Sequence, residues 1–384
     1  AGGNNFGTNS NQLAYPHGVH VNSAGDIFIV NRGLHSVVKW SNGSNSGVVV
    51  AGGSEGYGLN QLKDPDGIYV DSSGNIYIAD AGSMRIVKWE PGASQGIVVA
   101  GETNNQGDDD DELNHPKNIF VDSSGNIYIS DTFNHRVMKW DSGASKGTLV
   151  AGANTMGSSN KHLNNPRGIY VDSEGSIFIV DKDQHRVMKW ESGADEGIVV
   201  AGGNGAGSAL NQLDHPTDLY FGSDGYMYIS DKSAHRVVKW KPGANEGVVI
   251  AGGNGDGSSD NQLSDPQGVY LDNAGNLYVS DTRNHRVQKT QLAPQIKIPA
   301  GQTSGSLKIN MIQDQNDEND ETVILTPGTV NGVNNPNKDP ISFIINDDDD
   351  PPVITFVQSA ESIDENSSND VIITATLSIV SQKD

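Results

Sequence analysis

The sequence predicts an all-β chain. Residues 1–291 read as a six-bladed β-propeller, and the remainder as an incomplete or strand-exchanged β-sandwich. Three observations carry this. The stretch from Pro116 to Trp140 recurs six times with small edits, its opening prolines (Pro16, Pro65, Pro116, Pro166, Pro216 and Pro266) spaced 49 to 51 residues apart. A fixed period of that size signals a closed or stacked repeat fold. The composition, with 46 Gly, 15 Pro and a hydrophobic fraction of 35%, suits many short strands joined by tight turns. Finally, charge is partitioned: residues 292–384 hold 15 Asp and Glu against 4 Lys and Arg, whereas residues 1–291 hold 33 against 21. Two differently designed regions meet near residue 292.

Within a copy, Asn118–Asp122 and Asn126–Asp131 are β-branched and aromatic runs separated by an Asp-Ser-Ser-Gly turn, which predicts a tight hairpin. The glycine returns at Gly25, Gly74, Gly125, Gly175, Gly225 and Gly275, as a turn residue required to take positive φ would. Arg136–Trp140 supplies a third strand and Gly147–Gly152 a fourth, so each copy is a four-stranded meander. These strands are apolar on both faces, and neighbouring meanders are the available cover. Six such sheets around an axis make a propeller. The sixth copy lacks its own fourth strand. Two segments stand in register to supply it, Ala1-Gly2-Gly3 and Ile296–Gly301, and the sequence does not choose between them.

Asn134-His135-Arg136 and Asn284-His285-Arg286, with looser forms at Leu34-His35, Gln184-His185-Arg186 and Ala234-His235-Arg236, each follow Pro-x-Gly-like and Asp-x-x-Gly-Asn-like elements. In this arrangement the copies resemble NHL repeats over residues 1–291. The repetition argues that these histidines serve something every blade shares. The expected role is packing and hydrogen bonding of the loop after the second strand, with the Asp series (Asp80, Asp131, Asp181, Asp231, Asp281; Asn31 in the first copy) and the Arg that follows. Met84 replaces the histidine in the second copy. The same structural role is expected of Trp40, Trp89, Trp140, Trp190 and Trp240, with Thr290 at that position in the sixth copy.

Function is sought where copies differ. The residue after each opening proline reads His17, Asp66, Lys117, Arg167, Thr217 and Gln267, a mixed-charge ring expected at one end of the innermost strands and taken as the candidate binding face. His20 departs from an aromatic series of Tyr69, Phe120, Tyr170, Tyr220 and Tyr270. The resemblance implies two enzymatic possibilities, a metal-dependent hydrolase or lyase on the axis, because relatives of this fold include such enzymes. Only His17 and Asp66 offer ligands there, opposed by the cations Lys117 and Arg167. Among the loops between copies, Asp108–Glu112 holds five adjacent carboxylates; it reads as a solvated charge run, with a hard-cation site as the alternative.

Ile298–Asn310, Asp317–Leu325 and Ile341–Asp350 resemble the second half of a Calx-beta domain, and Pro352–Leu377 resembles the first strands of another. Residues 292–351 are thus a back half and 352–384 a front half. The resemblance implies calcium bound by acidic loops, with candidates Asp317, Glu318, Asp320, Asp347, Asp348, Asp349, Asp350 and Glu365. A sandwich missing its first strands exposes edges that invite completion. Residues 353–378 complete it within the chain or in the next subunit, and the second arrangement is head-to-tail and generates a filament.

The net charge of −23 argues against a nucleic-acid binder, which needs a basic surface. Zero cysteines exclude disulfides and thiolate chemistry. No apolar run approaches the roughly 20 residues needed to span a bilayer, and no charged-then-apolar leader opens the sequence, so the expectation is a soluble chain, processed or excerpted. The favoured reading is a secreted or cell-surface, non-enzymatic structural or adhesive protein, its partners other protein or glycan surfaces and further copies of itself.

Overall fold

The computed structural model describes residues 1–3 and 5–292, together with the backbone of strands between residues 295 and 380. Two compact units divide the chain, Ala1–Thr290 and Gln291–Asp384.

The first unit is the six-bladed propeller. In the first blade the strands are Pro16–Val21, Ile27–Asn31, Ser36–Trp40 and Val48–Gly52, paired antiparallel in chain order. The next four blades repeat this order, and the sixth contributes Pro266–Leu271, Asn276–Asp281 and Arg286–Gln291. Its missing strand comes from the beginning of the chain. The Val287 N–H donates to Ala1 O at 2.9 Å, the Ala1 nitrogen donates to Val287 O at 3.1 Å, and Gly3 N–H donates to His285 O at 3.1 Å. Of the two segments left open by the sequence, Ala1–Gly3 closes the ring, while the backbone of Gln295–Ile298 pairs with Val371–Thr374.

The hairpin turn behaves as its residues require. Asp71 Oδ1 accepts from the N–H groups of Ser73 and Asn75, both at 2.9 Å, and Gly74 follows with φ 83°. A glycine there avoids the Cβ clash of the left-handed region. At the other end of the hairpin a bulge interrupts the pairing between Pro16 and Val19, and again between Pro166 and Ile169 and between Pro266 and Val269. Such a bulge turns consecutive side chains toward one side, here the axis.

Hydrophobic cores lie between blades rather than within them. One joins Val37 and Val30 of the first blade to Ile76, Val87 and Trp89 of the second. Another joins Val19, Val38 and Trp40 of the first to Tyr278 and Val287 of the sixth. Trp89, Trp140, Trp190 and Trp240 are each 1% exposed. The fourth strand must open on glycine because a Cβ at Gly47, Gly96 or Gly197 would lie 2.5 Å or less from a Trp ring or a Val methyl.

Buried ion pairs tie the loops to the blades. Asp131 Oδ2 accepts from Arg136 Nε at 2.6 Å, and Asp131 Oδ1 from Asn114 N–H at 2.6 Å. The Arg136 guanidinium then donates to the carbonyls of Asp108, Asp109 and Glu112. The acidic run 108–112 therefore lends its backbone carbonyls to the fold, while its Glu112 carboxylate accepts from Asn105 Nδ2 at 2.8 Å and Asp111 lies 3.4 Å from Lys146 Nζ. The pattern recurs at Asp80–Arg85, Asp181–Arg186, Asp231–Arg236 and Asp281–Arg286.

In the second unit, the backbone strands form one antiparallel sheet in the order Gln295–Ile298, Val371–Val380, Glu321–Asn331, Ile341–Ile345, and a two-stranded pair of Ser306–Lys308 with Val353–Thr355. Strands from residues 352–384 thus pair with strands from 292–351 in one chain. Among the described residues no helix is long and apolar enough to cross a membrane.

Arg136→Leu leaves the Asp131 carboxylate buried without its partner, a situation that costs about 3–5 kcal/mol. Chemical denaturation followed by intrinsic tryptophan fluorescence should show that loss; an unchanged midpoint would mean that the pair contributes nothing.

Candidate functional site

The inner strands run along the axis, and their side chains stack in layers. At the mouth, where the strands begin, the ring His17, Asp66, Lys117, Arg167, Thr217 and Gln267 converges as the sequence predicts. Asp66 sits at its electrostatic centre. Lys117 Nζ lies 3.0 Å from Asp66 Oδ2, His17 Nδ1 3.3 Å from Oδ1, and the guanidiniums of Arg167 and Arg32 3.8 Å from Oδ2. Burial alone would raise the Asp66 pKa, but Lys117, His17 and Arg167 hold its carboxyl well below the usual range. Burial pushes the His17 imidazole down.

The second layer is a constriction. Glycine is required at four of its six positions, since a Cβ on Gly18, Gly67, Gly168 or Gly268 would come within 2.8 Å of backbone in the adjoining blade. The other two positions carry Asn118 and Asp218, from the third and fifth blades. Their side chains meet over Gly168, Asn118 Nδ2 donating to Asp218 Oδ1 at 2.8 Å, and Asp218 Oδ2 accepts from Val269 N–H at 3.0 Å. Burial pushes the Asp218 carboxyl up to about 7. The space between mouth and constriction is only about 20 Å³, room for a water.

Below it lies a chamber of about 270 Å³ walled by His20, Tyr69, Phe120, Tyr170, Tyr220 and Tyr270. Neighbouring rings touch around most of the circle: His20 lies 5.4 Å from Tyr69 and 4.8 Å from Tyr270, Phe120 5.4 Å from Tyr170, and Tyr220 4.6 Å from Tyr270. Burial brings His20 down to about 4, so it is a neutral imidazole near pH 7. The chamber is slightly smaller than most small-molecule sites and offers aromatic faces with hydroxyl and imidazole handles. Toward the hairpin turns, a wider vestibule of about 690 Å³ includes Asp71, Asp122 and Asp172.

The sequence located the mouth residues and the odd histidine of the aromatic layer. It missed Asn118 and Asp218. The signal was present, because Pro-x-Gly becomes Pro-Lys-Asn and Pro-Thr-Asp at those two copies alone. The recurrent histidines do more than hold their own loop. Each takes a left-handed backbone conformation, φ 50° to 56° at His35, His135, His185, His235 and His285. Each Nδ1 also accepts the N–H of the residue before the next blade's proline: Asp64, Asn165, His215, Asp265 and, across the seam, Tyr15. In the second blade Met84 Sδ accepts from His115 N–H at 3.3 Å. The tail candidates Asp317, Glu318, Asp320, Asp347, Asp348, Asp349, Asp350 and Glu365 lie outside the described residues.

A family model described as NHL repeat matches residues 62–89 and 263–289, in the second and sixth blades. No curated protein sequence matches the chain. Similar solved structures include a gluconolactonase from Xanthomonas campestris, at 12% identity and a TM-score of 0.53, covering 70% of this chain and 84% of that one. A protein of unknown function from Bacteroides thetaiotaomicron is similar at 15% identity and a TM-score of 0.56, covering 72% of this chain and 69% of that one. At these identities the likeness is one of fold. The first unit is a six-bladed all-β propeller, and two of its blades match the NHL repeat.

Asp218 gives the axis a pH signature. Its folded pKa of about 7 stands above the ordinary 3.8, so folding takes up a proton between those values. Its contribution to stability is complete below about pH 4 and is lost as pH rises toward 7, with a slope of at most about 1.4 kcal/mol per pH unit. Thermal melts of wild type and Asp218→Asn from pH 4 to 8 should show the variant lacking this component of the decline; parallel profiles would mean that Asp218 does not titrate there.

Proposed function

We propose that this protein is a non-enzymatic binding and assembly module of the cell exterior, its propeller an interaction disc and its acidic tail a calcium-stiffened connector. The observation that carries the reading is the internal use of the propeller's reactive side chains. Five Asp–Arg pairs are tied into loops, the recurrent histidines accept backbone N–H groups, and Asp66 is shared among cations. An axial metal needs several convergent donors free of positive neighbours. At the mouth His17 and Asp66 sit against Lys117, Arg167 and Arg32, a donor set that does not suit such an ion, so the axial metal-dependent hydrolase or lyase is the weaker reading.

What remains for recognition is the loop surface and the tail, with protein or glycan surfaces as partners. Calcium would be held by Asp317, Glu318, Asp320, Asp347 to Asp350 and Glu365, whose like charges repel unless a cation joins them. The backbone pairings of residues 353–355 and 371–380 with earlier tail strands are equally available between copies, since strand exchange reuses the same contacts. Head-to-tail filaments are the result.

Two measurements on the full chain test this. Calorimetric titration with calcium should show binding that is weakened when Asp347 to Asp350 are all changed to Asn; heats indistinguishable from buffer would remove the connector role. Electron microscopy with calcium should show filaments that chelation shortens or disperses, and monodisperse particles under both conditions would end the assembly proposal.

A further inference from the structure

The repeat explains one nitrogen of each recurrent histidine, but at one blade junction the surroundings differ from all the others. His185, from the fourth blade, accepts the His215 N–H at 3.1 Å. His215 precedes Pro216, and its Nδ1 lies 2.7 Å from Asp214 Oδ1. The two imidazoles meet edge to face, centroids 4.5 Å apart. Among the described residues, these three form the one group of His, Cys, Asp or Glu whose potential ligand atoms all lie within 4.8 Å of one another.

The other junctions show why. Before each blade's proline the pair reads Ala14-Tyr15, Lys63-Asp64, Asn114-His115, Asn164-Asn165, Asp214-His215 and Ser264-Asp265. Only the fifth supplies both a carboxylate and an imidazole, and it does so beside a histidine of the preceding blade. At the third, His115 has Asn114 for a neighbour and Met84 where His185 stands. Charge nearby is balanced, because Lys182 Nζ is paired with Asp183 at 2.7 Å.

We propose that His185, Asp214 and His215 form a binding site for a zinc-class divalent transition metal on the mouth face of the propeller, at the junction of the fourth and fifth blades. Two imidazoles and a carboxylate are the nitrogen and oxygen donors such an ion prefers, and three protein ligands leave a position open for water or a partner's side chain. Zinc bonds of about 2.0–2.2 Å require the donors to draw closer than they now stand. The side chains of His185, Asp214 and His215 are 17%, 28% and 41% exposed, so they are reachable from solvent and have room to turn. On binding, the metal takes the place of the hydrogen bond between His215 Nδ1 and Asp214 Oδ1, and the neutral imidazole carries its N–H proton on Nε2.

The test uses the full chain in buffer freed of transition metals, with calcium in excess to occupy hard-cation carboxylates. Zinc titrated calorimetrically should bind at one saturable site, and cobalt in its place should give the visible absorption of a tetrahedral ion. His215→Ala and, separately, Asp214→Asn should each weaken zinc at least about tenfold, comparable to or beyond the loss of an outer-shell partner. His115→Ala, at the matching position of the third blade, should leave it unchanged. Circular dichroism confirms that each variant is folded, and His215→Gln replaces any that is not. Absence of saturable zinc binding in the wild type would overturn the proposal, as would affinity that survives both substitutions in the cluster.

Discussion

Each blade of this propeller has two apolar faces and no means of covering either by itself. Burial of apolar surface is the dominant stabilising term in folding, so the cores assemble only when one blade lies on the next, as Val37 and Trp89 do across the first junction. Closure follows from this constraint, since a ring open at one junction would expose two such faces. The seam between the sixth and first blades therefore governs the rest. Two hydrogen bonds between Ala1 and Val287 and the core of Val19, Trp40, Tyr278 and Val287 complete it.

The seam is also where the repeat's polar chemistry changes. Elsewhere a buried Asp–Arg pair reaches into the loop before the blade; in the first blade the positions are Asn31 and Ser36. Asn31 Oδ1 still accepts the Ala14 N–H at 2.7 Å, so half of the device survives without charge. The loop that an arginine would have gripped is instead flanked by aromatic contacts: Phe6 lies 5.4 Å from His285, and Tyr15 4.7 Å from it. Ring contacts of this kind add about 0.5–1.5 kcal/mol beyond their burial. They carry no cost of desolvating an ion.

Much of the propeller was legible because period, turn glycine and strand pattern are local signals. Gly74 and Gly125 mark their turns, and the proline register alone puts His17, Asp66, Lys117, Arg167, Thr217 and Gln267 at equivalent positions of one ring. What escaped was relational. Ala1-Gly2-Gly3 and Ile296–Gly301 are equivalent as pattern, and only pairing with Arg286 and Val287 separates them. The histidines looked like servants of their own loop because their acceptor role links residues about thirty positions apart, in a different copy. The bulge after the opening proline, present in five of the six blades, brings two adjacent residues to the axis, so Asn118 and Asp218 were hidden behind a Pro-x-Gly element read as uniform.

These misses share a cause that bears on where activity resides. A sixfold pattern is blind to contacts between unlike positions of different copies, and those contacts are where symmetry fails. Asn118 and Asp218 meet only because both of their blades abandoned glycine while Gly168 between them kept it. His185 and His215 meet beside Asp214 because one blade kept the consensus histidine and the next changed its entry pair. In each case the repeat supplies a rigid frame at fixed spacing, and two departures create a polar group of defined geometry. These groups also join blades, since Asp218 Oδ2 accepts the Val269 N–H and His185 Nδ1 accepts the His215 N–H. Chemistry gained this way can be added or lost one junction at a time.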